Sequence, residues 1–135
     1  MSTEIDERTR REILKAQWNE ITEYHIYSRL SRRVRDQENS TTLQRIAEEE
    51  RAHAKIWQSY TNKEVKPSRW KIFFFIVVAR LLGLTFGVKL MERGEDRAQI
   101  NYDRLSKVVP QAKEIEAEED HHEQQLIAML QEERL

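Results

Sequence analysis

Cysteine is absent from this chain of 135 residues, and glycine and proline are scarce, with three and two residues respectively. Without thiols there is no disulfide, no thiolate ligand for a metal and no cysteine nucleophile. So few turn-forming residues argue against a fold of many short strands joined by tight turns. The composition therefore predicts an all-α fold, and the length fits a single domain spanning residues 1–135.

An excess of charge of one sign is also lacking. The chain has 23 basic and 24 acidic residues and a net charge of −1. This balance gives no argument for a nucleic-acid partner, because such partners favour strongly basic surfaces. Charged side chains are nevertheless abundant, and glutamates recur among them at helical spacing.

No apolar run is long enough to cross a bilayer. The most apolar stretch is WKIFFFIVVARLLGLTFGV, at 70–88, and its longest uncharged run is Ile72 to Ala79. A spanning helix needs roughly 20 apolar residues. The stretch is interpreted either as a core helix with an over-apolar end or as a surface that meets a partner subunit or a membrane. Because it exceeds what one helix seam can bury, we expect at least a homodimer.

Hydrophobic periodicity and breaker residues predict four helices in an antiparallel four-helix bundle. The first runs from about residue 2 to 35, and the second begins after 36–42, capped by one of the hydroxyl residues at 40–42, and ends near 62. The third is long, about 69 to 107, with Ser68 as a candidate cap and with Gly83 and Gly87 inside it, where it is expected to bend. Pro110 opens the fourth helix.

Each helix presents one stripe with alternating spacings of three and four, and each stripe carries glutamate. In the first two helices the stripes are Ile13, Ala16, Glu20, Glu23, Tyr27, Leu30 and Val34, then Leu43, Ile46, Glu50, His53, Trp57 and Tyr60. In the last two they are Leu84, Val88, Met91, Glu95, Ala98, Tyr102, Leu105 and Val109, then Ile115, Glu119, His122, Leu126 and Met129. Burying a bare carboxylate costs several kcal/mol or shifts its pKa until it neutralises, so either some group lies opposite these glutamates or the stripe is not buried.

The two halves of the chain repeat one pattern. Glu20 is followed by Tyr27-Ser-Arg-Leu30, and Glu95 by Tyr102-Asp-Arg-Leu105. The helix after each of them carries Glu-x-x-His, as Glu50 to His53 and as Glu119 to His122. Residues three apart lie on one helix face, so each motif can present a carboxylate and an imidazole to the same ion.

Two Glu-x-x-His pairs and one glutamate from each remaining helix form the ligand set of a two-metal carboxylate site. The predicted ligands are Glu20, Glu50, His53, Glu95, Glu119 and His122. Four carboxylates and two neutral imidazoles carry −4, which two divalent ions neutralise. Oxygen-rich donors with two histidines favour iron, with manganese as a second choice. The alternative is a set of structural salt bridges in a chain rich in glutamate.

Other polar residues lie near these stripes. Glu23 and Glu92 are interpreted as further metal ligands, as an iron entry path or as surface charges. Tyr27 and Tyr102 are expected to be core tyrosines bonded to a carboxylate of another helix, with a redox role as the alternative. Glu118 and His121 lie off the stripe and are expected to face solvent or to surround the ligands.

These motifs resemble the ferritin-like superfamily, rubrerythrins and bacterioferritins included. The strings LLGLTFGVKLMERGEDRAQINY and EEDHHEQQLIAMLQEERL look more specifically like the N-terminal ferritin-like domain of membrane-bound ferritins, and the resemblance covers essentially the whole chain. In that family the domain is fused to a vacuolar-iron-transporter-type membrane domain. The resemblance implies that such a domain would follow residue 135, and that this part is soluble and lies on the cytoplasmic face of the membrane.

The resemblance also implies a function. It implies a di-iron domain that binds Fe(II), oxidises it as a ferroxidase, and serves a transporter of iron or manganese in iron homeostasis and in protection from oxidative stress. One alternative is a non-catalytic module that senses iron or manganese and gates the membrane domain. Another is a rubrerythrin-like peroxidase, although a chain without cysteine lacks the rubredoxin-type centre that supplies its electrons. A di-iron enzyme that oxidises an organic substrate ranks last.

Overall fold

The computed structural model describes residues 5–83 and 100–133 of the protein. All regular structure in these residues is helical, which confirms the predicted all-α class. The helices, in chain order, are α1 (Glu7–Arg33), α2 (Gln37–Thr61), α3 (Arg69–Leu82), α4 (Tyr102–Leu105) and α5 (Ala112–Glu133). Among the helices described, none has the length and apolar character needed to cross a membrane.

Aspartate residues begin the first two helices. The side chain of Asp6 accepts a hydrogen bond from the Thr9 backbone N–H and so caps α1. Asp36 does the same for the backbone N–H of Asn39. The prediction that a hydroxyl residue at 40–42 caps the second helix was therefore wrong. Asp36 supplies an acceptor four residues earlier, which reduces the break to residues 34–36.

Short polar contacts hold α2 along α1, and this pair has the most extensive helix packing among the described elements. Ser40 Oγ donates to the Ser31 carbonyl oxygen at 2.6 Å, at the junction between the two helices. At the other end of the pair, Thr61 Oγ1 donates to Gln17 Oε1 at 2.8 Å. These bonds fix the register of α1 against α2, and the register decides which side chains of the two stripes face each other.

The third helix is shorter than predicted. Ser68 caps α3 as expected, by accepting from the Lys71 backbone N–H. The helix ends at Leu82, because Gly83 takes φ +98°, a left-handed conformation that glycine adopts at little cost. Residues 100–101 are not helical either, and α4 covers only Tyr102–Leu105. The single helix over 69–107 was therefore wrong, and the predicted bend at Gly87 lies outside the described residues.

Within residues 5–83 and 100–129, two apolar clusters form the core. The first apolar cluster contains Ile26, Tyr27, Leu30, Leu43, Ile46, Ala47, Ile72, Phe75, Leu126 and Met129. The second apolar cluster contains Ile13, Ala16, Trp57, Leu105, Val109, Ala112 and Ile115. Along α1, α2 and α5, the glutamates and histidines of the stripes lie in sequence between members of one cluster and members of the other. We call these residues the polar layer: Glu20, Glu23, Glu50, His53, Glu119 and His122.

Candidate metal centre

Three helices bring four potential metal ligands together in the polar layer. Glu20 comes from α1, Glu50 and His53 from α2, and Glu119 from α5. One ligand atom of each lies within 4.8 Å of the corresponding atoms of the others. Glu20, Glu50 and His53 are buried, and Glu119 is half-buried. The structure thus unites residues that are up to 99 positions apart in the chain.

The two Glu-x-x-His motifs cross over each other. Glu119 Oε1 lies 3.0 Å from His53 Nδ1, on the opposite helix, and 3.9 Å from Nδ1 of its own partner His122. Glu50 Oε1 lies 2.8 Å from His122 Nδ1 and 3.8 Å from His53 Nδ1. Each carboxylate is therefore within 4 Å of both histidines. The imidazole rings stack with their centroids 6.0 Å apart.

The outer nitrogen of each histidine contacts the glutamate that directly precedes the opposite motif. His53 Nε2 lies 2.5 Å from Glu118 Oε2, and His122 Nε2 lies 2.5 Å from Glu49 Oε1. In a neutral imidazole, an Nε2–H that donates outward leaves the Nδ1 lone pair directed at the polar layer. Glu49 and Glu118 therefore select the tautomer that a metal at the centre requires.

Several buried carboxylate oxygens have no hydrogen bond to any residue that the structure describes. In the polar layer they are both oxygens of Glu20 and Oε2 of Glu50. Glu20 Oε1 does lie 3.3 Å from His53 Nδ1, which is ion-pair distance, but without ordinary hydrogen-bond geometry. Buried polar atoms are nearly always satisfied in native proteins, and each exception calls for an explanation. A cation among these oxygens supplies one.

Burial makes the carboxyl groups hard to ionise. It raises the pKa of Glu20 well above the ordinary range, and the nearby Glu119 and Glu23 raise it further. The pKa of Glu50 is also raised well above that range, first by burial and then by Glu119 and Glu23. Both carboxyl groups therefore favour the protonated form more strongly than an exposed glutamate does.

His53 and Glu119 form the charged pair of the layer. Burial disfavours the imidazolium, but the contacts with Glu119 and Glu20 outweigh it and raise the pKa of His53 to about 11. Burial likewise opposes ionisation of Glu119, yet contacts with His53 and Glu50 bring its pKa below the ordinary value. At neutral pH His53 thus carries a proton on the nitrogen that a metal would use, so metal binding must release that proton.

The size and chemistry of the cluster fit a metal ion. Ligands at about 2.1 Å from one ion are at most about 4.2 Å apart, close to the 4.8 Å observed here. Small side-chain movements therefore suffice to close the site. The donors are carboxylate oxygens and imidazole nitrogens, which suit iron, manganese or zinc and leave the identity of the metal open.

The remaining predicted ligands are Glu23, Glu92, Glu95 and His122. Glu23 is buried, and its charge acts on Glu50, although it is not one of the four clustered ligands. Glu92 and Glu95 lie outside the described residues, so their metal roles stay predictions. His122 is buried and joins the centre through Glu50.

The tyrosines flank the polar layer differently. Tyr27 is buried in the first apolar cluster. Tyr102 packs against the second apolar cluster, and its pKa is raised by burial and then by the charges of Glu20 and Glu119. Both effects favour the neutral phenol of Tyr102 over the phenolate.

Sequence reasoning missed the contact of Glu49 and left that of Glu118 open between solvent and the surroundings of the ligands. A signal was present, because both motifs read Glu-Glu-x-x-His, at 49–53 and at 118–122. The first glutamate of each motif lies outside the stripe of its own helix, and Glu49 also pairs there with Arg45 at 3.4 Å. Its contact with a histidine requires that the two motifs face each other.

Comparisons with known proteins add nothing to this geometry. No family model, curated protein or solved structure matches the chain.

Proposed function

We propose that this protein is a ferritin-like domain that binds iron in its polar layer and oxidises Fe(II). The observation that carries the proposal is the buried group of Glu20, Glu50, His53 and Glu119, with carboxylate oxygens that no described residue satisfies. A set of structural salt bridges explains this group less well, because the polar layer holds more carboxylates than bases.

The crossed arrangement supports two ions rather than one. Glu50 Oε1 and Glu119 Oε1 each lie within 4 Å of both histidine Nδ1 atoms, which is the arrangement expected of carboxylates that bridge two metals. Glu20 and His53 would complete the ligands of one ion. His122 would serve the second, and the internal repeat assigns Glu95 to it as the counterpart of Glu20.

In the proposed reaction, Fe(II) is the substrate. Two Fe(II) ions give one electron each to dioxygen, which takes up two protons and leaves as hydrogen peroxide. With hydrogen peroxide as oxidant, two further electrons and two protons yield two water molecules. The charge of the carboxylates favours Fe(III) over Fe(II), and the apolar clusters on either side exclude bulk water.

The protein's own groups handle the protons and the orientation of the ligands. His53 gives up its Nδ1 proton when iron binds, and Glu118 accepts the hydrogen bond that remains on Nε2. Glu49 holds His122 in the same way. The pairing positions both imidazoles before iron arrives, so little reorganisation remains for the binding step.

The wider assignments belong to the same proposal. The packing of α1 on α2, of α2 on α5 and of α4 on α5 supports an antiparallel four-helix bundle of ferritin-like type. The resemblance to membrane-bound ferritins supports a position at the cytoplasmic face of a membrane, beside an iron or manganese transporter domain. For the apolar stretch at 70–88 the sequence left a partner subunit or a membrane open, and the homodimer stays a prediction.

The test is aerobic Fe(II) oxidation, followed by dioxygen consumption and by absorbance of Fe(III), for the wild type, Glu50→Ala and Glu48→Ala. Glu48 is an exposed residue on the same helix and serves as the matched control. We expect Glu48→Ala to match the wild type and Glu50→Ala to fall to the rate of iron in buffer. Equal rates for all three proteins would refute the ferroxidase assignment.

Anaerobic titration with Fe(II) and Mn(II) separates the alternatives. Binding of two ions without faster oxidation would replace the enzyme with an iron- or manganese-sensing module. Oxidation with hydrogen peroxide but not with dioxygen would favour the peroxidase. The metal bound from a mixture can be identified by anomalous scattering at the iron and manganese absorption edges.

A further inference from the structure

The outward side of α3 is apolar rather than polar. Trp70 is 81% exposed, Phe73 61% and Leu81 75%, and Phe74 and Leu82 are also exposed. We call these five residues the outer face of α3. Trp70 and Phe73 meet edge to face, with ring centroids 6.4 Å apart. Beside Arg69 they line an open depression of about 280 Å³.

The inward side of α3 is already occupied. Ile72 and Phe75 are buried in the first apolar cluster, and Ala79 packs against it. At 100° per residue, these three lie on the side of the helix opposite Trp70, Phe74 and Leu81. The outer face is therefore a second apolar stripe, which the core cannot cover.

Positive charge borders the outer face. By the same helical geometry, Arg69 and Arg80 project from one edge of the stripe. Lys71 lies on the other side, where its Nζ is 5.9 Å from the centroid of the Trp18 ring of α1. In the sequence, no acidic residue occurs between Glu64 and Glu92 in a chain that otherwise has as many acids as bases. The basic residues of that stretch are Lys66, Arg69, Lys71, Arg80 and Lys89.

We propose that the outer face of α3 binds the surface of a bilayer that contains anionic phospholipids. Interfacial helices present tryptophan, phenylalanine and leucine to the acyl boundary and keep lysine and arginine at the level of the headgroups. The 14 residues of α3 extend about 21 Å. That length suits a helix that lies in the interface, and it is less than the ~30 Å hydrocarbon core that a spanning helix must cross.

Charge decides between a membrane and a second copy of the chain. In a symmetric dimer the same surface faces itself, so the cations at the edges of α3 would meet cations of the other copy. An anionic lipid surface is complementary to them instead. This inference does not depend on the proposed iron chemistry, because no residue of the outer face belongs to the polar layer.

The test is flotation of the 135-residue chain with vesicles of phosphatidylglycerol and phosphatidylcholine, and with vesicles of phosphatidylcholine alone. We expect binding to the anionic vesicles, weaker binding at high salt, and a partition coefficient at least tenfold lower for Trp70→Ser/Phe74→Ser. The variant Arg69→Gln/Arg80→Gln should lose about 25-fold, because each surface cation contributes about fivefold near an anionic membrane.

Two control variants match these changes elsewhere on the surface. Ile127→Ser removes an exposed apolar side chain of α5, and Arg8→Gln/Arg10→Gln removes two exposed cations of α1. Both controls should bind vesicles like the wild type. Thermal unfolding of every variant verifies that the outer-face substitutions leave the fold intact, which is expected for exposed positions.

Two results would overturn the proposal. Binding that the control substitutions weaken as much as the outer-face substitutions would indicate general adsorption. A protein that ignores vesicles but sediments as a dimer, and becomes a monomer in Trp70→Ser/Phe74→Ser, would assign the outer face to a second copy.

Discussion

The polar layer and the outer face of α3 invert the usual distribution of residues in opposite ways. Glu50 has none of its surface exposed, although glutamate is almost never fully buried unless it is paired. Trp70, a residue that proteins mostly bury, is 81% exposed. The interior therefore holds ionisable side chains and the surface holds aromatic ones, and each arrangement is unfavourable for the protein alone.

The buried carboxylates and the exposed apolar stripe would be stabilised by different kinds of interaction. Buried carboxylates require a cation at a defined place, because electrostatic and coordination energies depend steeply on distance. An exposed apolar stripe requires only removal from water, which is roughly proportional to area and has little directionality. We therefore expect strict residue requirements at the polar layer and graded, additive ones at α3.

The largest effect on metal binding is expected from a comparison of the adjacent residues His121 and His122. His122→Ala removes a buried imidazole 2.8 Å from Glu50, whereas His121 is exposed. We expect His122→Ala to weaken Mn(II) binding at least about a hundredfold, because loss of a ligand should exceed the effect of losing a supporting group. Isothermal titration measures this, and an equal loss in His121→Ala would mean that the polar layer does not select its ligands.

Adjacent phenylalanines compare the two sides of α3. Phe75 is 6% exposed within the first apolar cluster, and Phe74 is 53% exposed. Phe75→Ala should lower the free energy of unfolding by about 3 kcal/mol, because it leaves a cavity in the core. Phe74→Ala should change it by less than about 0.5 kcal/mol. Urea unfolding checks both values, and a large cost for Phe74→Ala would mean that the outer face packs within the molecule.

The outer glutamates should have an intermediate effect. Glu49→Gln and Glu118→Gln keep an acceptor for each histidine Nε2–H but remove the negative charge that makes the imidazole a stronger ligand. We expect each to weaken Mn(II) binding about tenfold, the low end for supporting groups around a metal. The matched exposed controls are Glu48→Gln and Glu114→Gln, which should bind like the wild type. Unchanged affinity in both test variants would remove Glu49 and Glu118 from the site.

The smallest expected effect concerns the metal-free protein. The pKa of Glu20 is raised in the folded state, so its contribution to stability is complete below the unfolded pKa near 4.3 and decreases as pH rises above it. Glu20→Gln removes this decrease, so the free energy of unfolding of the variant should rise relative to that of the wild type as pH increases from 5 to 8. Urea unfolding in the presence of a chelator measures the gain, and a loss that grows with pH would contradict the assigned sign.

Helical periodicity predicted most of the interior from the sequence. The predicted stripes of α1 and α2, from Ile13 to Leu30 and from Leu43 to Trp57, are buried throughout. The prediction succeeded because buried positions on a regular helix recur every three or four residues, whatever the helix packs against. The same rule placed Glu50, His53 and His122 in the interior before any partner was known.

Periodicity could not predict where α3 ends or which of its sides is exposed. Gly83 was compatible with a bent helix and with a helix end, and the backbone adopts the end. The exposure of Trp70 was likewise undecided in the sequence, because a helix with two apolar sides buries only the side that meets the core.

The sequence by itself determined which residue types face inward, because side-chain spacing on a helix is a property of the backbone. It also determined which side chains can bind a metal, namely carboxylates and imidazoles but no thiols. Only the tertiary structure decided that the motifs cross, so that Glu50 contacts His122 and Glu119 contacts His53. That pairing depends on the register and separation of α2 and α5, which packing between distant segments sets and which no local pattern encodes.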